Sequence, residues 1–143
     1  MQTDLKYRPA DYEYQPSEDE PFMNDRQKDY FRRKLLGWRE EILKESRGTL
    51  VSLQEENHGL ADVADRASNE TDRSLELRTR DRQRKLIAKI DSALRRIDEG
   101  EYGWCEVTGE PIGINRLIAR PIATMTVEAQ QAHERREKIS RDD

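Results

Sequence analysis

The sequence holds a single cysteine, Cys105, which excludes an intramolecular disulfide and suits a reducing compartment. Apolar residues make up 34% of the 143 positions and charged residues 39%, so no large core can be enclosed and burial must be confined to seams. No apolar run approaches the roughly twenty residues that span a bilayer. The start, Met1-Gln2-Thr3-Asp4-Leu5-Lys6, also lacks the charged-then-apolar pattern of a secretory leader, and a cytoplasmic protein is expected. Neither sign of charge dominates. The 26 basic and 30 acidic residues are interspersed and leave a net charge of −4, which argues against a general electrostatic grip on DNA or on an anionic membrane. Glycine and proline are scarce in the middle of the chain. What is there in quantity is Glu, Lys, Arg, Leu and Ala, the composition of long helices and coiled coils, and a protein partner is expected.

Residues 1–24 carry Tyr7, Tyr12, Tyr14 and Phe22 among Pro9, Pro16 and Pro21, without helical or strand period, and read either as a disordered leader or as an extended arm whose aromatics lie on the folded part. A helix signal begins near Asn24, which can cap the first orphan N–H groups while Asp25 complements the positive helix end. From there Phe31, Leu35, Trp38 and Ile42 recur at spacings of four and three, with Leu36, Leu43 and Leu50 beside them. After an interruption at residues 59–67, a second helical stretch runs through Leu75, Leu86, Ile90, Ala93 and Ile97 to a stop at Gly100. Two apolar stripes joined by a short connection must face each other. The expected architecture is therefore mainly α, with an antiparallel coiled-coil hairpin over residues 25–100. At 1.5 Å per residue, two helices of roughly thirty residues would hold the connection about 45 Å from the rest of the fold.

Residues 101–143 read as a small turn-rich knob, with room for one tight hairpin around Thr108-Gly109-Glu110-Pro111, followed by a charged C-terminal helix capped by Thr126. The inward residues of that last helix are expected to be Ala129, Ala132 and Ile139. The second long helix is strongly basic, with Arg73, Arg78, Arg80, Arg82, Arg84, Lys85, Lys89, Arg95 and Arg96. The bland explanation is a solvated face balanced by acids of the first helix, and the functional one is a docking surface, for which arginine is favoured. At the tip, Asp62 and Asp65 are good helix-capping residues, and pattern alone favours that structural role. Cys105 reads as a buried small hydrophobe, Trp38 as part of the seam and His133 as exposed.

The segments Asp62-Val-Ala-Asp65-Arg66-Ala67, Ser74-Leu-Glu-Leu-Arg78-Thr-Arg-Asp-Arg82-Gln-Arg-Lys-Leu86-Ile-Ala-Lys89-Ile90 and Tyr102-Gly-Trp-Cys105-Glu-Val-Thr-Gly-Glu-Pro-Ile-Gly-Ile-Asn-Arg116-Leu-Ile-Ala-Arg120-Pro121 closely resemble the DksA/TraR family of bacterial transcription factors. The likeness joins tip, stalk and knob in order and spacing. It implies a regulator without enzymatic activity, a monomer that enters the secondary channel of bacterial RNA polymerase and places its acidic tip near the active site. Such factors destabilise open complexes, and together with the alarmone ppGpp they repress ribosomal RNA promoters and activate some biosynthetic ones, without sequence-specific DNA binding. Carried over by position, the tip residues are Asp62, Asp65 and Ala67, the polymerase contact is Arg82, and the ppGpp pocket shared with polymerase maps onto Leu86, Lys89 and Arg120. A further basic residue of that pocket is replaced here by Gln130, which puts the strength of alarmone coupling in question.

The departure concerns metal. Zinc-type members carry two Cys-x-x-Cys pairs, and the matching positions here are Cys105, Thr108, Thr126 and Ala129. A structural zinc needs four Cys or His ligands, whereas Cys105 with His133 makes at most two. No zinc is expected. The knob, a degenerate zinc-finger region, is then expected to be held by Trp104, Val107, Ile112, Ile114, Leu117, Ile122, Met125, Val127 and Ala129. Two other readings stay open: a Gre-like accessory for transcript cleavage, whose hairpin holds a metal, and a coiled-coil adaptor unrelated to polymerase.

Overall fold

The structure is a computed structural model that describes residues 14–56 and 63–142, with side chains for residues 14–48 and 70–140. It is mainly α. Among the described residues the chain forms α1 (Asp25–Glu56), α2 (Val63–Glu99), α3 (Ile114–Ala119) and α4 (Val127–Asp142), and no strand. The chain divides into two compact units, one made of the chain up to Leu35 together with Ala93 onward, the other of Leu36–Ser92.

Helix ends lie where local chemistry places them. Asn24 caps α1, its Oδ1 accepting from the Gln27 N–H at 2.9 Å, and Thr126 caps α4 by accepting from the Ala129 N–H at 3.1 Å, as the sequence led one to expect. At the end of α2, Gly100 has φ 78°, its N–H bonds the Ile97 carbonyl at 3.2 Å, and the Glu101 N–H bonds the Arg96 carbonyl at 2.9 Å. That pair of bonds is a complete Schellman stop. The start of α2 differs from expectation. Helix resumes at Val63, so the interruption does not extend to residue 67. Ala64, Arg66 and Ala67 are good helix formers, and an acid at Asp65 suits the positive end of a helix.

In the unit Leu36–Ser92 the two long helices run antiparallel. Arg39 meets Asp91 at 2.8 Å and Glu45 meets Gln83 at 3.4 Å, so partner numbers fall on α2 as they rise on α1. Both contacts are exposed, and such pairs contribute about 0.2–1 kcal/mol at most. Burial of Ile42 and Ile90 at the seam, about 1.5–3 kcal/mol each, decides the pairing. Leu86 and Trp38 are half-buried, while Leu36 and Leu75 are exposed, contrary to a seam role for Leu75.

In the other unit the core is Phe31, Leu35, Ile97, Ile114 and Leu117, with Met23, Ala93, Tyr102, Cys105, Ile112 and Ala123. Phe31 lies 5.5 Å from the Tyr102 ring, and the Tyr102 hydroxyl donates to the Pro121 carbonyl at 2.7 Å, so one residue fixes α1 and the turn after α3 together. Lys34 donates to the Ile118 carbonyl at 2.9 Å, placing a cation at the negative end of α3. The expected hairpin is a single antiparallel bridge between Trp104 and Pro111, closed by Cys105 N–H to Glu110 and Ile112 N–H to Gly103, each 2.8 Å. Trp104, Val107 and Val127 are exposed rather than core, as is Ile139. A knob this small has a narrow interior, and the main-chain bonds of its turns take Tyr102 and Cys105 inward instead.

The segment before α1 lies on the fold from residue 14 onward. The Tyr14 hydroxyl donates to the Glu20 carboxylate at 2.8 Å, the Arg26 guanidinium covers the Tyr14 ring at 3.9 Å, and Phe22 stacks edge-on against Trp104 at 5.2 Å. Gln27, fully buried, accepts from the Met23 N–H at 2.7 Å and donates to the Ser17 carbonyl at 3.2 Å. Tyr7 and Tyr12 lie outside the described residues.

Candidate functional site

Arg82, Leu86 and Lys89 are spaced four and three apart on α2, which puts them on one helix face. Arg82 and Lys89 are exposed and Leu86 is half-buried. Asp81 draws Arg84 at 3.3 Å and Lys85 at 3.2 Å, but among the described residues neither Arg82 nor Lys89 has an ion-pair partner. The balance by acids of α1 that a merely solvated face would show is therefore missing at these two positions. Arg120 belongs to the other unit, where it is exposed and closes α3 through its N–H to the Arg116 carbonyl at 2.7 Å. Gln130 is half-buried and turns its amide to Glu134 one turn on, at 3.1 Å. Asp62 lies outside the described residues. Asp65 and Ala67 fall in the first turns of α2, their side chains outside the description.

The four positions of the degenerate metal site hold one thiol, two hydroxyls and a methyl group. Both hydroxyls are engaged: Thr108 accepts from the Glu110 N–H at 3.2 Å, and Thr126 caps α4. His133 is exposed and pairs with Glu137 at 3.0 Å. This donor set does not fit a tetrahedral zinc, which takes thiolate and imidazole ligands. Cys105 itself is buried, a free thiol. Burial opposes its ionisation, but hydrogen bonds from the Thr108 hydroxyl and from the main chain at Thr108, Thr126 and Val107 outweigh it and lower the thiol to about 7. The turns that present metal ligands in a zinc ribbon here present N–H groups to one sulfur.

On the side of α2 away from Arg82, Leu77, Arg80, Arg84 and Ile87 form another stripe, which the seam spacing does not single out. With Leu43 and Ser46 of α1 they line a groove of about 510 Å³. A count of residues at spacings of three and four from Arg73 would have found it.

Residues 27–97 match the family described as DnaK suppressor protein DksA, N-terminal domain, and residues 100–135 match the prokaryotic dksA/traR C4-type zinc finger. The chain belongs to the DksA family. A DksA of Caulobacter vibrioides, described as an RNA polymerase-binding transcription factor, is 70% identical over 92% of each chain. That of Escherichia coli K12, described in the same words, is 42% identical over 87% of this chain and 83% of its own. In three dimensions, transcription factor DksA2 from Pseudomonas aeruginosa superposes with a TM-score of 0.77 and 39% identity, covering 96% of this chain and 98% of that one. The DksA match runs through the zinc-finger segment although three of its four ligand positions have changed.

Proposed function

We propose that this chain binds bacterial RNA polymerase and regulates transcription as a cytoplasmic monomer without enzymatic activity. The reading is carried by the likeness to RNA polymerase-binding DksA over nearly the full length of both chains. Entry is through the secondary channel. Asp62, Asp65 and Ala67 form the tip that approaches the active site, and Arg82, a guanidinium without a carboxylate partner among the described residues, grips the polymerase surface. Two carboxylates brought into a channel already furnished with Mg²⁺, Arg and Lys act electrostatically, biasing mobile elements and weakening open complexes. The protein reads no DNA sequence itself.

Leu86, Lys89 and Arg120 are the residues proposed to face ppGpp together with polymerase: Lys89 and Arg120 supply exposed cations for phosphate and Leu86 an apolar contact. Gln130 supplies no charge, and its amide is held by Glu134, so alarmone coupling rests on fewer phosphate contacts. The knob is proposed to fold without zinc, and elemental analysis finding about one zinc per chain would overturn that. In vitro transcription from a ribosomal and a biosynthetic promoter, with and without ppGpp, tests partner, direction and coupling together. Asp65→Asn is expected to keep polymerase binding and lose inhibition at the ribosomal promoter. Full inhibition by that variant would remove the tip as effector, and transcript cleavage in a backtracked complex would favour the Gre-like reading.

A further inference from the structure

We infer that the groove of the Leu36–Ser92 unit is a docking site for an acidic amphipathic helix, and, resting on the polymerase reading above, that RNA polymerase supplies that helix. The groove lies on a different flank from Arg82. Arg80 and Arg84 each stand two residues from Arg82, about 200° around a helix of 3.6 residues per turn, so a partner seated between them is not the one Arg82 meets.

Three features of the groove define its occupant. Its floor is apolar, with Leu43 and Ile87 half-buried and Leu77 50% exposed, and nothing among the described residues covers Leu77. Its rim is cationic and incompletely satisfied. The Arg80 Nε is buried without an acceptor, and among the described residues Arg80 has no carboxylate partner. Among the described residues Arg84 is held by Asp81 alone, at 3.3 Å, with the two side chains 80% and 50% exposed, a pair weak enough to exchange for a better one. One turn toward the α2 C-terminus from Ile87, Asp91 is already paired with Arg39, so on this flank the cations left for a partner are Arg80 and Arg84.

The chemistry separates a peptide from a small anion. Mid-helix N–H groups are consumed by their own helix, so the groove offers a phosphate no main-chain donors, and three apolar side chains add nothing to the binding of an inorganic anion. A helix that carries a large apolar residue with carboxylates one turn apart uses everything present. Its apolar residue covers Leu77, and its carboxylates meet two guanidiniums that are themselves one turn, about 5.4 Å, apart.

The test uses the full chain, labelled at its N-terminus, and purified RNA polymerase. Arg80→Glu is expected to weaken binding about tenfold or more with little change in thermal unfolding, since among the described residues Arg80 has no carboxylate partner to lose. Leu77→Ser serves as the apolar counterpart, and p-benzoylphenylalanine in place of Leu77 is expected to cross-link to a polymerase helix with Asp or Glu one turn apart. If the wild-type chain does not bind polymerase, the polymerase reading fails and takes this assignment of the occupant with it. If the wild type binds while both variants bind equally well, or the cross-link falls in a basic segment, the docking site is refuted and the polymerase reading stands. Inorganic phosphate or pyrophosphate that perturbs the Arg80 and Arg84 side-chain resonances, and competes with polymerase, would make the groove a small-anion site and also refute it.

Discussion

Replacing Gln27 by Ala isolates a buried polar clasp. Gln27 is fully buried, and its amide holds two main-chain groups that no other described residue satisfies: the Met23 N–H at 2.7 Å and the Ser17 carbonyl at 3.2 Å. Loss of two hydrogen bonds costs about 1 kcal/mol each, and leaving the Met23 N–H orphaned in a buried setting raises the total to about 2–4 kcal/mol. Met23 also sits at φ 55°, a conformation a non-glycine residue holds only when its surroundings impose it, so loss of the clasp removes part of that restraint. Urea unfolding followed by circular dichroism should show a midpoint lower by about 1–2 M for a slope near 2 kcal/mol/M. Gln27→Glu sharpens the test. The carboxylate keeps the acceptor for Met23 but sets a negative oxygen against the Ser17 carbonyl, so the introduced acid should titrate above its ordinary range. With the folded pKa raised, the variant should be closest to wild type at low pH and lose stability as pH rises through that value. A Gln27→Ala midpoint equal to that of the wild type, or a Gln27→Glu deficit that does not depend on pH, would refute the reasoning.

Three further outcomes follow from the same unit. Gly103 has φ 90°, and a Cβ there would meet Met23 Cγ at 3.0 Å and Phe22 Cζ at 3.1 Å, so Gly103→Ala should lower thermal stability by at least about 1–2 kcal/mol and change Trp104 fluorescence. Tyr102→Phe leaves the Pro121 carbonyl without its donor and should cost about 1–2 kcal/mol in urea unfolding, with the helical content of the folded state unchanged. Thr108→Val removes the hydroxyl that helps hold Cys105 at about 7, and absorbance near 240 nm should show the thiolate forming at higher pH. A thiol lowered by folding stabilises the native state above the unfolded thiol's range and loses that contribution as pH falls through about 7. The valine variant should therefore show a flatter dependence of stability on pH between 7 and 9.

What the sequence disclosed about the fold was what is local or periodic. Asn24, Gly100 and Thr126 were legible as caps because each acts on groups within a few residues, and Phe31, Leu35, Ile42, Ile90, Ala93 and Ile97 because a seam of period 3.5 requires them. Leu75 and Ile139 fit apolar spacing but are exposed, and whether a neighbour covers a residue is a condition spacing does not encode. In the knob no period exists. Val107, Val127 and Trp104 were expected inside on hydrophobicity, and Cys105 is buried as read, whereas Tyr102 and Ala123 are taken inward by turn geometry that becomes visible only in three dimensions. The candidate face came from the family resemblance: it named Arg82, Leu86 and Lys89, and helical spacing sets the three on one side of α2, but the absence of a carboxylate partner for Arg82 among the described residues, and the unsatisfied Arg80 beside Leu77, are facts about neighbours. Gln27 carried no signal at all, since a glutamine one turn into a charged helix looks like surface.

The unit that contains the knob is discontinuous in the chain: Phe31 and Leu35 are made early, and Tyr102, Ile114 and Leu117 only after all of Leu36–Ser92 has been synthesised. Its closing contacts, such as Lys34 with Ile118, join residues 84 positions apart, whereas Asn24, Gln27 and Ser17 can find one another within ten. During translation the N-terminal clasp can therefore form at once, while the face of α1 that carries Phe31 waits uncovered for the last third of the polypeptide. A chain stopped between Ser92 and Tyr102 is therefore expected to carry Phe31 and Leu35 without Tyr102, Ile114 and Leu117, which complete their core.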